Sequence, residues 1–173
     1  MERIMIIGCG GSGKSTLARQ LGEKTGLPVV HLDKLFWHPG WVESTKDEID
    51  AKIMEELGKP RWIMDGNFNR TLPKRLEYCD AVIYLDFNRF TCLAGVMKRV
   101  LTSYGTVRPD MGDGCPERFN WDFLVWVWNF NKNHRERYYC LLHEKESIQK
   151  IVLKNRRQVK RFLETIDRDL DCV

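Results

Sequence analysis

Gly8-Cys9-Gly10-Gly11-Ser12-Gly13-Lys14-Ser15-Thr16 is the stretch of this chain best equipped for chemistry. It fits G-x-x-x-x-G-K-[ST], a glycine loop whose successive N–H groups turn inward to cradle phosphate oxygens. Within such a loop Lys14 reaches the β- and γ-phosphates, and the Ser15 hydroxyl is placed to ligate Mg2+. The loop needs a strand before it and a helix after it, whose free N-terminal N–H groups face the anion. Arg3 to Ile7 is a short apolar run that stops at glycine, and Lys14 to Lys24 reads as a helix ended by Gly26-Leu27-Pro28.

Carboxylates are the second ingredient. Asp65 closes the apolar run Trp62-Ile63-Met64 and precedes Gly66, where a P-loop enzyme needs an acidic group to orient Mg2+ or its water. Asp33 ends the run Val29 to Leu32, placed to bind an acceptor or a metal-bound water. Asp86 follows Ala81 to Leu85 and reads more readily as a turn residue. Arginines are the third. Phosphoryl transfer spreads charge over equatorial oxygens, which guanidinium groups stabilise. Arg99, Arg108 and Arg118 flank or lie within an irregular segment from Ser103 to Asn120, broken by Gly105, Pro109, Gly112, Gly114 and Pro116. An arginine-bearing segment of that length fits a lid. Arg70 and Arg75, beyond the Asp65-Gly66 turn, are placed to meet an acceptor's anion.

The elements that must hold these groups alternate. Strands are expected at Arg3–Ile7, Val29–Leu32, Trp62–Met64, Ala81–Leu85 and Ile148–Leu153. Helices are expected at Lys14–Lys24, Lys46–Leu57, Thr71–Tyr78, Phe90–Thr102, Phe119–Glu144 and Arg156–Ile166, with a capping box from Thr45 and Glu48. This is an α/β pattern: a five-stranded parallel sheet with helices on both faces, in three layers. Ligands of such sheets bind beyond the carboxyl ends of the strands, where the glycine loop, Asp33, Asp65 and Asp86 all fall. Phe36-Trp37-His38-Pro39-Gly40-Trp41 follows Asp33; its aromatic rings either line an acceptor pocket or pack the loop onto the sheet. The run Phe119 to Phe130 is apolar on most sides and reads as core or hinge packing. His31 reads as a core histidine.

The 173 residues fit one domain with a lid-like insertion at about 103–120, and the net charge of +4 suits an anionic ligand without requiring nucleic acid. Six cysteines show no metal-ligand spacing, so reduced and mostly buried thiols in a cytoplasmic protein are expected. No apolar run is long enough to span a membrane.

The glycine loop, His31-Leu32-Asp33-Lys34-Leu35-Phe36-Trp37 with Pro39-Gly40-Trp41, and Asp65-Gly66-Asn67-Phe68 together resemble the adenylate-kinase-like proteins known as DNA topology modulation proteins. Arg108-Pro109-Asp110-Met111 and Gly114-Cys115-Pro116-Glu117-Arg118-Phe119 match that pattern too, so the resemblance spans nearly the whole chain. It implies a nucleoside-monophosphate-kinase-like fold with strand order 2-3-1-4-5, a P-loop, a Walker-B-like Asp65 and an arginine lid over Arg99 to Arg118. It also implies that the loop Lys154-Asn155-Arg156 contacts the nucleotide base. True adenylate kinases carry Asp-Gly-Phe-Pro-Arg where this chain has Asp65-Gly66-Asn67-Phe68-Asn69-Arg70, and they lack the tryptophan loop.

The expected function is therefore a small kinase using ATP and Mg2+. Gly8 to Thr16 with Asn155 and Arg156 would bind nucleotide, and Ser15 and Asp65 the metal. Lys14, Asp33, Asp65, Arg99, Arg108 and Arg118 would carry the catalysis. The acceptor would lie among Asp33, Phe36, Trp37, Trp41, Asn67, Arg70 and Arg75. No guanine-reading N-K-x-D motif is present, which favours ATP over GTP. The alternative is a nucleotide-responsive regulator that binds DNA or a protein partner through Lys154, Arg156, Arg157, Lys160 and Arg161, a cluster that otherwise reads as a solvated helix face.

Overall fold

The computed structural model describes residues 1–145 and 147–171. The elements run β1 (Arg3–Gly8), α1 (Lys14–Thr25), β2 (Val29–His31), α2 (Leu32–Phe36), β3 (Trp37–His38), β4 (Val42–Glu43) and α3 (Lys46–Leu57). Then come β5 (Trp62–Asp65), α4 (Leu72–Tyr78), β6 (Ala81–Leu85), α5 (Arg89–Ser103), α6 (Trp121–Glu144), β7 (Gln149–Leu153) and α7 (Arg156–Asp171). Five strands form one parallel sheet in the order β2-β5-β1-β6-β7. Counting only those strands, this is the expected order 2-3-1-4-5. The central strands are apolar along their length because helices cover both faces; β5 and β6 are buried throughout. Burying one large apolar side chain such as Ile63 or Leu85 stabilises the fold by roughly 1.5–3 kcal/mol.

Several boundaries differ from expectation for local reasons. β2 stops at His31, and Asp33 lies in the short helix α2 rather than at a strand end. The tryptophan loop is a small antiparallel hairpin, β3–β4, pairing Trp37 with Glu43 and His38 with Val42. Its turn uses the left-handed region at Gly40 (φ 79°) and Trp41 (φ 65°). Only half of the capping box forms. Thr45 accepts from the Glu48 N–H at 3.2 Å, but the Glu48 carboxylate turns instead to Lys52 and His38. Asn88 and Asn120 cap α5 and α6, each accepting from the N–H three residues on. On α6, Val127 and Phe130 are buried, whereas Trp121 and Trp128 stay exposed against an apolar hollow of about 360 Å³ shared with α5. The expectation of burial fails there because α5 covers one side of that face and, among the described residues, no element covers the other. Cys9, Cys79, Cys92 and Cys115 are buried free thiols and Cys140 is an exposed one; Cys172 lies outside the described residues. Among the described residues, no helix is long and apolar enough to cross a membrane.

The connection from 104 to 120 is ordered by its own contacts. A bridge joins Tyr104 to Glu117, with Gly105 N–H donating to the Glu117 carbonyl at 2.8 Å and Glu117 N–H to that of Thr106 at 2.8 Å. The β3–β4 hairpin docks on it. Gly40 N–H donates to Gly114 O at 3.0 Å, the Cys115 thiol to His38 O at 3.1 Å, and Trp41 Nε1–H to Pro116 O at 3.2 Å.

One of the tightest inter-element contacts joins the glycine loop to α5. A Cβ on Gly95 would lie 2.1 Å from the Gly11 carbonyl oxygen, and one on Gly11 would lie 2.2 Å from the Cys92 carbonyl oxygen. Gly11 also has φ 75°, so a side chain there is excluded twice over. Gly95→Ala must push α5 off the loop, and overpacking of this kind costs about 1–3 kcal/mol. Urea unfolding should show a lowered midpoint with an unchanged slope, together with weaker nucleotide binding by calorimetry.

Candidate active site

A cavity of about 1100 Å³ opens at the carboxyl edge of the sheet. Its floor is the glycine loop, which curls because Gly11 and Gly13 adopt positive φ. Ser12 Oγ donates to Cys9 O at 2.7 Å, and Lys14 Nζ reaches back over the loop to the same carbonyl at 3.0 Å. Asn67 ties the loop to the end of β5, its Oδ1 accepting from Gly8 N–H at 3.0 Å. The two ends of the loop face different walls. A Cβ on Gly10 would meet Phe123 of α6 at 2.6 Å, whereas one on Gly13 would meet Arg156 of α7 at 3.5 Å.

Three carboxylates, Asp33, Asp65 and Asp110, act on one another at this edge of the sheet. Asp65 is buried and shares a 2.6 Å hydrogen bond with His31 Nδ1. His31, in β2 and largely buried as expected, therefore also holds Asp65 at the sheet edge. Asp33 is exposed and lines the cavity. Loss of solvation and then the nearby Asp65 carboxylate raise its pKa above the ordinary aspartate value, against the pull of Lys14 and Arg108. Asp110, from the 104–120 connection, lies beside the Ser15 hydroxyl. Burial pulls its pKa up, but Arg108 and the neighbouring Ser15 hydroxyl together hold it below the ordinary value. Among the described residues, no three His, Cys, Asp or Glu side chains converge to hold a metal by themselves. The Ser15, Asp65 and Asp110 oxygens are nonetheless the hard donors Mg2+ takes, and that ion usually draws most of its other ligands from phosphates and water.

The arginines are arranged as a paired network. Arg99 and Arg108 share the buried Glu117 carboxylate, at 3.0 and 2.8 Å from the same oxygen, and Arg108 also donates to Asp110. Arg99 lies over the Phe123 ring at 5.4 Å. Both guanidinium groups line the cavity, as do Lys14, Arg19, Lys98 and Arg156.

Other expected site residues lie elsewhere. Arg75 is fully buried and does not line the cavity; four of its five N–H groups go to the carbonyls of Gly66, Asn67 and Phe68 and to Thr71 Oγ1, which turns it away from an acceptor. Burial pushes its pKa down to about 10. Arg70 is exposed and pairs with Asp50 at 2.7 Å, outside the cavity. Arg118 sits 5.0 Å above the Trp41 ring rather than at the phosphates. Phe36, Trp37 and Trp41 form an edge-to-face stack that packs the hairpin against Phe68 and the 104–120 connection; none lines the cavity. Asn155 caps α7 by accepting from Gln158 N–H at 3.0 Å. Asp86 clamps α6 to the sheet through Arg135 and the Tyr139 hydroxyl, a packing role. Of the basic cluster on α7, Arg156 turns inward over the Phe87 ring.

Sequence reading missed His31, Asp110, Glu117 and the cavity-facing pair Phe123 and Trp126. The three-residue spacing of Phe123 and Trp126 marked a shared helix face, but not which neighbour that face would meet. Asp110 and Glu117 carried a fainter sign, two acidic residues inside a segment chosen for its arginines.

No protein-family model matches the chain. Two curated relatives, both adenylate kinases of Thermotoga neapolitana, are 31% identical to it over 80 residues, covering 46% of this chain and 36% of the relative. The chain thus matches about a third of their length. Solved structures align over nearly all of it. A shikimate kinase from Bacteroides thetaiotaomicron matches with a TM-score of 0.55 at 13% identity, over 98% of each chain. A deoxyadenosine kinase from M. mycoides with bound dATP gives 0.58 at 16% identity, over 97% of this chain and 98% of that one. At these identities the likeness concerns the fold: a three-layer α/β fold of the P-loop kinase, nucleoside-monophosphate-kinase-like kind.

Because Asp33 has a raised pKa in the folded chain, its ionised form opposes folding, and the penalty is present above the ordinary value of 3.8. Asp33→Asn should raise the thermal midpoint at neutral pH. The advantage should shrink to nothing as pH falls below that value, where the carboxyl is protonated in both states. Calorimetric scans of both proteins across pH check this.

Proposed function

We propose that this chain is a small kinase that moves the γ-phosphoryl group of ATP to a small acceptor, in the manner of adenylate-kinase-like proteins. The observation that carries the reading is one cavity with the glycine loop as its floor and two differently built ends. At the Gly13 end, Arg156 and the start of α1 suit the phosphates of ATP. At the Gly10 end, Phe123, Trp126, Phe68, Asn67 and Asp33 surround space for a second molecule. A bare nucleotide-binding switch has no need of that second end. The adenylate kinase relatives and the kinase structures of like fold support the same reading.

In this scheme Lys14 and the loop N–H groups hold the β- and γ-phosphates. Ser15 and Asp65, the latter fixed by His31, would hold Mg2+, with Asp110 beside Ser15. When bound, the ion neutralises phosphate charge and polarises the transferring group. Arg99 and Arg108 lie where charge develops on the transferring phosphoryl. The segment 103–120 acts as a lid whose paired network swings as a unit and excludes water. Asp33, with its raised pKa, is suited to receive a proton from an acceptor hydroxyl.

Incubation with labelled ATP and a panel of nucleosides, nucleotides and sugars should show acceptor-stimulated transfer. Lys14→Ala should reduce it by about 100-fold or more, since the lysine contacts the phosphates throughout the reaction. Hydrolysis without stimulation by any acceptor would overturn the assignment.

A further inference from the structure

Gly66 (φ 134°) and Phe68 (φ 32°) hold the turn after β5 in the left-handed region, which a phenylalanine rarely adopts. The fully buried Arg75 enforces this shape by bonding three successive carbonyls of the turn, Gly66, Asn67 and Phe68. A strained turn clamped this firmly is a sign of a functional constraint. Its result is to present Asn67 and Phe68 to the cavity. The same cavity is lined from α6 by Phe123 and Trp126, whose rings stack at 5.6 Å with planes 17° apart. Phe123 is in turn fixed against Gly10 and under Arg99.

The charge of this end is as informative as its rings. Arg99 and Arg108 are matched by Glu117 and Asp110, Arg75 by backbone carbonyls and Arg70 by Asp50. The cations not so matched, Lys14, Arg19, Lys98 and Arg156, are those the phosphates of ATP would use. A monophosphate acceptor would bring further negative charge toward Asp33, Asp65 and Asp110, where Arg99 and Arg108 are already paired with carboxylates. A neutral hydroxyl meets no such repulsion and finds an acceptor for its proton in Asp33.

We propose that the acceptor is an uncharged molecule of the nucleoside class, its flat base held between Phe68 and the Trp126–Phe123 stack and its sugar hydroxyl directed to Asp33. This rests on the kinase reading above and narrows it. In the reaction the hydroxyl oxygen forms a bond to the γ-phosphorus while the bond from that phosphorus to the β–γ bridging oxygen breaks. ADP leaves with the bonding pair, the hydroxyl proton passes to the Asp33 carboxylate, and the product is a nucleoside phosphate monoester. Asn67 is placed to hydrogen-bond the edge of a base or a sugar hydroxyl.

The test uses the full chain with γ-labelled ATP and three acceptor sets: nucleosides with each common base, the matching nucleoside monophosphates, and a non-aromatic cyclic hydroxy acid. At least one nucleoside should be phosphorylated. Trp126→Ala should raise that nucleoside's KM about tenfold, the scale of a lost base–aromatic stack, with the KM for ATP unchanged. Trp126→Phe should restore most of it. Asp33→Asn should lower kcat steeply while nucleoside binding persists. That binding is followed by quenching of the tryptophan emission that distinguishes the wild type from Trp126→Phe. Transfer confined to monophosphates or to the hydroxy acid would overturn this inference and leave the kinase reading standing. Absence of transfer to every acceptor would overturn the kinase reading. Absence of nucleoside-induced quenching would overturn the base site independently of turnover.

Discussion

The backbone of the glycine loop lies directly against the backbone of α5, at Gly11 and Gly95, with no room for a side chain on either. Much of the site follows from this contact. It fixes the angle at which α5 leaves the sheet, and so sets where the 104–120 connection begins. It also leaves one flank of the loop open to α6 and the other to α7. Two glycines more than eighty positions apart in the chain thus determine that one cavity has two dissimilar ends. Close packing makes such a contact all-or-none, since a missing or added methylene is felt by every layer behind it.

The second organising feature is a balance of charge. Glu117 and Asp110 match Arg99 and Arg108 inside the connection, and Glu117 is itself held by main-chain bonds on both sides. Ion pairs taken out of water gain little net stability, because desolvation offsets most of their attraction. What they contribute here is geometry: one carboxylate holds two guanidinium groups, and both line the cavity. The same pairing also lowers the net positive charge of that part of the cavity.

The aromatic residues divide by neighbour rather than by composition. The hairpin tryptophans and Phe36 bury their rings against Phe68 and the 104–120 connection, and so stiffen the connection without entering the cavity. Phe123 and Trp126 belong to a helix that otherwise packs on the core through Val127, Phe130 and Tyr138, yet they open to the cavity. An aromatic side chain has the same affinity for apolar surface in either place. The fold decides which surface it meets.

The sheet, its order and the glycine loop were legible from residue types because they rest on local rules. Apolar runs ended by Gly or Asp make buried strands, and a glycine run before Gly-Lys-Ser can only be a tight loop entering a helix. Asp65 and Asp33 could be placed at the ligand edge for the same reason. The fates of Arg75, Arg70, Arg118 and Trp41 could not be read this way. A side chain at the right edge of a sheet has several partners in reach, and only the assembled chain shows which one it takes. Arg75 took three carbonyls, Arg118 took a ring, and Asp110 reached Ser15 from almost a hundred residues away. Local sequence determined that Gly8 to Thr16 would form a tight glycine loop entering a helix. Tertiary packing decided what faces that loop, because contacts between distant segments depend on the relative placement of whole elements and not on the residues of either one alone.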